Sequence, residues 1–402
     1  MWRVIDGGVT APQGYRAGAV SAGLKPSGAL DLTLIYSEQP AVVAGAFTTS
    51  QVRAACVRYC QEQLQTGQPA RAIVCNAGQA NAATGTPGWE DACQTAAAIA
   101  QALNITPQEV LVASTGVIGQ RIPMEKLLAA IPALVAATTR DGGDLAAQGI
   151  LTTDLVPKTI ALESTELTVP LRVGGIAKGS GMIHPNMATL LAFITCDAPV
   201  DSHFWRQVVQ QAVDVSFNQI TVDGDTSTND MVLALANGAA GGTPIHADHP
   251  AAPTLAAMVT EACTQLAKKV ARDGEGATCL IEVRVQGTAS DREARHIART
   301  IAGSLLVKAA VFGRDPNWGR IAAAAGRAGV PFHPDDLAID LGTIPLMRRG
   351  QPLAFDRDAA KAYLHSDPVV ISVGVGDGPG QGCAWGCDLS YDYVRINAEY
   401  TT

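Results

Sequence analysis

The sequence predicts a layered α/β fold, and three observations support that expectation. Short apolar runs rich in β-branched residues alternate with longer stretches of helical period, the pattern of strands backed by helices. Several of these runs end in small polar loops, such as 76–81 and 114–119, the places where such folds carry their sites. Hydrophobic residues make up 47% of the 402 and aromatics only 5%, so a large core is available, built mostly from small aliphatic side chains.

Over residues 1–60, Gly7-Gly8, Gly14, Gly18, Gly23 and Gly28 punctuate strand-like runs, clearest at 32–36 and 41–47, and no helix is expected there. Residues 72–75 are a short strand, and 89–103 a helix with Ala97, Ile99 and Ala100 facing in. A second such strand, 110–113, leads into Ser114-Thr115-Gly116. Pro123 suits a first helical position, so a helix opens over 124–130, and Pro132 restarts it. Residues 149–157 hold Thr152-Thr153-Asp154, and 167–173 are strand-like. From 174 onward four glycines and Pro185 make an irregular loop, before 190–195 runs apolar as a buried strand. A helix over 204–217 turns Val208, Ala212, Val213 and Val215 inward. A strand at 220–222 enters the polar loop 223–230. Thr254 suits the cap of a helix running to Ala267. A strand is expected at 279–285, a helix at 291–309, and strand spacing at Tyr391, Tyr393 and Ile396. No internal repeat or long linker interrupts the chain, so its halves should pack as one unit.

Composition excludes several functions. The net charge of −8, without any basic cluster among aromatics, argues against nucleic acid and anionic membranes as partners. Nine scattered cysteines fit reduced thiols, and the N-terminus shows no charged segment leading into an apolar one, so a cytoplasmic protein is expected. The longest apolar stretches, such as 127–138, are too short or interrupted to span a bilayer. The pairs Cys56/Cys60 and Cys383/Cys387 lack further ligands at metal spacing, as does His246-Ala-Asp-His249. Asp223, Asp225 and Ser227 imitate a calcium loop, but Thr228 and Ala234 stand where glycine and glutamate are required. Lys178-Gly-Ser has the wrong order for a phosphate loop. The run Gly374-Val-Gly-Asp-Gly meets Pro379 where a nucleotide fold needs a helix.

Positive chemistry gathers around Thr189, where the glycine loop enters a strand. Were the peptide bond before it cut, its α-amine, with an ordinary pKa of roughly 8, would be a built-in base for its own hydroxyl. Thr115 and Gly116, on a turn at a strand end, offer a hydroxyl and an N–H to a developing oxyanion. Lys178 could carry its ammonium to a substrate carboxylate. Each has a plainer local account, as a strand-opening threonine, a turn and a solvated lysine. His184 reads as structural, because an N-terminal nucleophile needs no histidine.

The segment Lys178-Gly-Ser-Gly-Met-Ile-His-Pro-Asn-Met-Ala-Thr189-Leu-Leu resembles the self-cleavage signature of the ornithine acetyltransferases, the glutamate N-acetyltransferase family. Further blocks are similar to that family's, in its order: Ala44-Gly-Ala-Phe-Thr-Thr, Asn76-Ala-Gly-Gln-Ala-Asn, Ser114-Thr-Gly-Val-Ile-Gly, Thr152-Thr-Asp, Val222-Asp-Gly-Asp-Thr-Ser-Thr-Asn-Asp, Asp315-Pro-Asn-Trp-Gly-Arg and Cys387-Asp-Leu-Ser-Tyr-Asp-Tyr-Val-Arg-Ile-Asn. The resemblance implies an αββα sandwich of the aminopeptidase-like type and cleavage between Ala188 and Thr189. The products would be an alpha chain, 1–188, and a beta chain, 189–402, assembling as a heterotetramer of two alpha and two beta chains. It further implies acetyl transfer from N-acetylornithine to glutamate through an acetyl-threonine, without metal or organic cofactor, and leaves acetyl-CoA open as a co-substrate. By matching position, Thr189 is the nucleophile and Thr115 and Gly116 the oxyanion hole. Thr153, Lys178, Thr189, Glu275, Asn397 and Thr402 would contact substrate, with Thr152 the alternative to Thr153. Two rivals remain at this stage: a hydrolase that passes the acyl group to water, and a non-catalytic amino-acid-binding protein whose chain stays whole.

Overall fold

A computed structural model describes residues 1–183 and 190–399. A nine-stranded sheet is built from β1 (Trp2–Val4), β2 (Tyr15–Val20), β3 (Leu32–Phe47), β4 (Ala70–Gln79), β5 (Val110–Val117), β6 (Lys158–Ser164), β7 (Arg172–Lys178), β8 (Leu191–Cys196) and, beyond β9 (Ile220–Thr221), β10 (Met231–Ala236). Its order is β1-β6-β7-β8-β10-β3-β4-β5, with β2 beside β3.

The long β3 folds this sheet on itself. Its first half pairs with β2 and β4, its second half, from Val42 on, pairs with β10, and the register shifts between Tyr36 and Ala41. The two half-sheets face each other. Leu191, Phe193, Met231, Leu233 and Leu235 from β8 and β10 share one apolar core with β3, β4 and β5. Tyr15 ties the layers together, its hydroxyl 3.0 and 2.9 Å from the carbonyls of Cys196 and Leu235.

Helices cover both outer faces. Against β5 lie α1 (Ala55–Gln65) and α2 (Gly85–Leu103), with α3 (Met124–Ala137) and α4 (Gly143–Gly149) packed on β2. On the far side, α5 (Ser202–Val215) and α6 (Ala252–Arg272) bury Ala192, Ile194, Val232 and Ala234, the alternate residues of β8 and β10. The result is the expected αββα sandwich.

A second, seven-stranded sheet extends it. Beside β9 it comprises β11 (Leu280–Gly287), β12 (Ala338–Leu341), β13 (Ile344–Arg348), β14 (Gln351–Pro352), β15 (Val369–Gly374) and β16 (Gly378–Cys387), in the order β14-β13-β12-β15-β11-β16-β9. One face packs on α7 (Asp291–Ala302), α8 (Leu305–Phe312), α9 (Trp318–Gly326) and α10 (Arg357–Tyr363). On the other, Leu280, Trp385 and Cys387 join the core around α6. Finally α11 (Tyr391–Glu399) lies on the surface with no buried side chain.

Several expected elements are corrected. The region read as strands alone contains the start of α1, whose inner Cys56, Val57 and Cys60 sit at helical spacing. In α2 Ala97 is exposed, while Ala92, Ala96, Ile99 and Ala100 are buried. The helix α3 runs unbroken through Pro132, which lies on its exposed face. Val215 is only half-buried, and Thr254 sits inside α6, whose cap is Ala251. The helix expected over 291–309 divides at Gly303-Ser304, where Ser304 caps α8.

Two differences from the expected elements bear on the site. The glycine-rich run was expected as loop, yet residues 172–178 form β7, and the strand expected at 167–173 falls largely on the connection from β6. Here glycine serves close packing instead of a turn. A Cβ on Gly174 would stand 2.1 Å from the Gly8 carbonyl oxygen, and one on Gly175 2.9 Å from the methyls of Ile194 and Leu266. The tail expected as strand is the helix α11, with Tyr393 and Asn397 one turn apart on one face.

Candidate active site

Strand ends converge on one small cavity. The parallel neighbours β4 and β5 put Gly78 opposite Gly116. Gly116 has φ +129°, and a Cβ there would meet the Gly78 carbonyl carbon at 2.3 Å, so only glycine lets the strand turn outward. Thr115, just before it, is nearly buried. Asn229 fastens this corner, its amide donating to the carbonyls of Ala80 at 2.5 Å and Ser114 at 2.8 Å.

Lys178 closes β7 and is almost fully buried. Its ammonium donates to the Thr152 hydroxyl at 2.7 Å, lies 3.4 Å from that of Thr115, and stands 3.9 Å from an Asp154 oxygen. Burial pulls the Lys178 pKa below the usual lysine range, with Asp154 opposing the shift. Burial would raise Asp154, but Lys178 and Lys158 outweigh it and hold that carboxyl below the usual range. Asp154 also accepts the Gly179 N–H at 2.8 Å and the Lys158 ammonium at 2.5 Å.

Glu275, just beyond the end of α6, borders the same cavity. Its carboxylate accepts the Asn397 amide at 2.8 Å and fills the space over Gly181, where a Cβ would approach within 2.6–2.7 Å of it. Asp223 receives the N–H groups of Met182 and Ile183 at 2.6 and 2.8 Å, so it holds the stretch entering 184–189. Burial pushes the Asp223 carboxyl up, against these backbone bonds, and pushes Tyr393 up to about 12.

The cavity these groups line measures about 160 Å³. Thr115, Gly116, Thr152, Thr153, Lys178, Glu275 and Asn397 all border it, so every expected site residue that is described meets in one place. Both candidate threonines border it, and Thr152 is the one bonded to Lys178. Ile183 and Leu190, on either side of 184–189, border it too. His184, Ala188, Thr189 and Thr402 lie outside the described residues.

Sequence reading missed Asp154, Lys158, Asp223 and Tyr393. The first two carried a signal, since a lysine buried in a strand demands a carboxylate and Asp154 adjoins Thr152 and Thr153. Among the described residues, no group of three or more His, Cys, Asp and Glu could hold a metal ion. What the arrangement can do is bind a small molecule carrying both charges, since a lysine and carboxylates border the one cavity. A hydroxyl and a strand-end glycine lie where an oxyanion could rest.

Fold and site together define an α/β sandwich with one small cavity lined by groups of both charges. The model of the ArgJ family matches residues 16–402, and the chain belongs to that family. The arginine biosynthesis bifunctional protein ArgJ of Synechocystis sp. is 60% identical over all of this chain and 99% of its own length. Its counterpart ArgJ 1 from Nostoc sp. is 62% identical, with the same coverage. Among solved structures, the arginine biosynthesis bifunctional protein ArgJ of Bacillus halodurans is 47% identical with a TM-score of 0.51, covering 52% of this chain and 98% of that one.

Proposed function

We propose that this protein transfers the acetyl group of N-acetylornithine to glutamate, in arginine biosynthesis as the names of its relatives state. The observation that carries the reading is the single cavity bordered by Lys178, Glu275, Thr115 and Gly116. Thr189 is the nucleophile. Its hydroxyl adds to the acetyl carbonyl while its own α-amine takes the proton, and the oxyanion rests on the Thr115 hydroxyl and the Gly116 N–H. The C–N bond breaks, the amine's proton passes to departing ornithine, and an acetyl ester remains on Thr189. The α-amine of glutamate then attacks that ester, and the same steps run in reverse order to free the threonine hydroxyl. Lys178 holds the α-carboxylate common to both substrates, and Glu275 the side-chain ammonium of ornithine. Thr152 or Thr153, Asn397 and Thr402 complete the contacts. The ester stores the acyl group, so no metal or organic cofactor is required.

The nucleophile's amine is released by cleavage between Ala188 and Thr189. In support, a solved relative matched over 98% of its length covers only 52% of this chain, about the share from Thr189 onward. The two products stay together, two of each forming the assembly, in the cytoplasm. No helix among the described residues is long and apolar enough to cross a membrane. Purified protein incubated with glutamate and N-acetylornithine, and separately with acetyl-CoA, should give N-acetylglutamate from the first donor. Acetate formed equally well without glutamate would make it a hydrolase instead. Thr189→Ala should run on a denaturing gel as one inactive band of 41.6 kDa, where the wild type gives two. Two bands from the variant would refute self-cleavage.

A further inference from the structure

Lys158 borders no part of the cavity, yet it is fully buried and carries two ion pairs. Its ammonium lies 2.5 Å from Asp154 and 2.5 Å from Asp273, and so joins two segments that are far apart in the chain. Asp154 belongs to the Lys178 side, where it accepts the N–H groups of Thr152 at 3.1 Å and Gly179 at 2.8 Å. Asp273 belongs to the Glu275 side, two residues upstream of that carboxylate. It reaches back as well, accepting the N–H groups of Leu155 and Val156 at 3.0 and 3.4 Å. Lys178, Asp154, Lys158 and Asp273 thus form an alternating chain of charges that begins at Lys178 and ends two residues before Glu275, both of which border the cavity. A charge buried this fully is kept only with well-formed partners, so the chain resists being stretched or shortened.

We infer that Lys158 is a positioning residue that sets the separation between Lys178 and Glu275, and so the side-chain length of the donor amino acid. This rests on the acetyl-transfer reading above, in which those two residues grip the α-carboxylate and the side-chain ammonium. A ruler held by buried charges selects length without touching the ligand. Its loss should therefore appear as lost discrimination between donors, whereas a loss of folded protein would slow every donor alike.

The test uses the full chain carrying Lys158→Met, which keeps the volume and removes the charge. Both proteins are assayed by kcat/KM with glutamate as acceptor, using N-acetylornithine and its analogues one methylene longer and shorter. One methylene typically separates substrates by roughly 10–200-fold, and the wild type should show a preference on that scale. In the variant the preference should shrink to about threefold or less, with KM for N-acetylornithine raised more than kcat is lowered. An unchanged preference, with all donors slowed in proportion, would overturn the inference, as would a wild type indifferent to length. Should Lys158→Met fail to fold, Asp273→Asn serves the same comparison, because its amide oxygen still accepts the Leu155 and Val156 N–H groups while the ion pair is gone. If the wild type uses none of the donors, the proposed function fails first, an outcome distinct from unaltered selectivity.

Discussion

At the scale of single residues, the proposed function assigns binding and catalysis to different side chains. Thr115 is nearly buried and its hydroxyl lies 3.4 Å from the Lys178 ammonium, while Lys178 already has Thr152 at 2.7 Å and Asp154 nearby. Removing that hydroxyl should spare substrate binding and weaken only the oxyanion's support. Thr115→Ala is therefore expected to lower kcat by about 10²–10³ with KM little changed, measured on processed protein. A raised KM with unchanged kcat would mark Thr115 as a binding residue. Asp154 acts through charge. It opposes the burial that pulls the Lys178 pKa down, and in the proposed function a substrate carboxylate needs Lys178 protonated. Asp154→Asn removes the opposing charge, so Lys178 should lose its proton at lower pH. The sign follows directly: the alkaline rise in KM should begin at lower pH in the variant. Profiles of KM against pH for both proteins decide this, and a rise at unchanged pH would show that Asp154 does not tune the lysine.

At the scale of elements, the surprise is α11. None of its side chains is buried, yet Tyr393 and Asn397 border the cavity and Asn397 donates to Glu275 at 2.8 Å. An element with so little apolar burial contributes little to stability. A chain ending at Ser390, whose hydroxyl still donates to the Gly276 carbonyl at 2.6 Å, should keep its melting temperature within a few degrees and lose substrate affinity. A large fall in melting temperature would show α11 to be structural. The sequence concealed this helix because Tyr391, Tyr393 and Ile396 suggest strand alternation, while the pair that matters, Tyr393 and Asn397, lies at helical spacing. The glycines of β7 misled in the opposite direction. Glycine in isolation signals a turn, and only the approach of Gly8 and of the Leu266 side chain shows why it stands in a strand.

At the scale of the molecule, the proposed cut falls between neighbouring strands of one sheet. β7 lies before it and β8 after it, hydrogen-bonded over Val173–Lys178 and Leu191–Cys196, while β10 pairs with β3 along Met231–Ala236 and Val42–Phe47. Separating the products would expose both ladders and the cores shared by the half-sheets. Processed protein should therefore migrate as one species under native conditions and as two chains when denatured. Dissociation by dilution alone would contradict this interlocking.

The sequence by itself determined the family and the class of fold, and named the residues from which the proposed chemistry is built. Strand–helix alternation, the Thr115-Gly116 turn, Lys178 and the blocks around Thr189 are contiguous, and their meaning lies in residue type and short spacing. Tertiary structure alone decided which strands pair across the bend of β3, that glycines 174 and 175 are packed and not turning, and that Lys158 meets Asp273, 115 residues away. The physical reason is range. Propensity and periodicity act over a turn or a few strand residues, whereas a buried charge finds its partner only after the apolar cores have brought distant segments together.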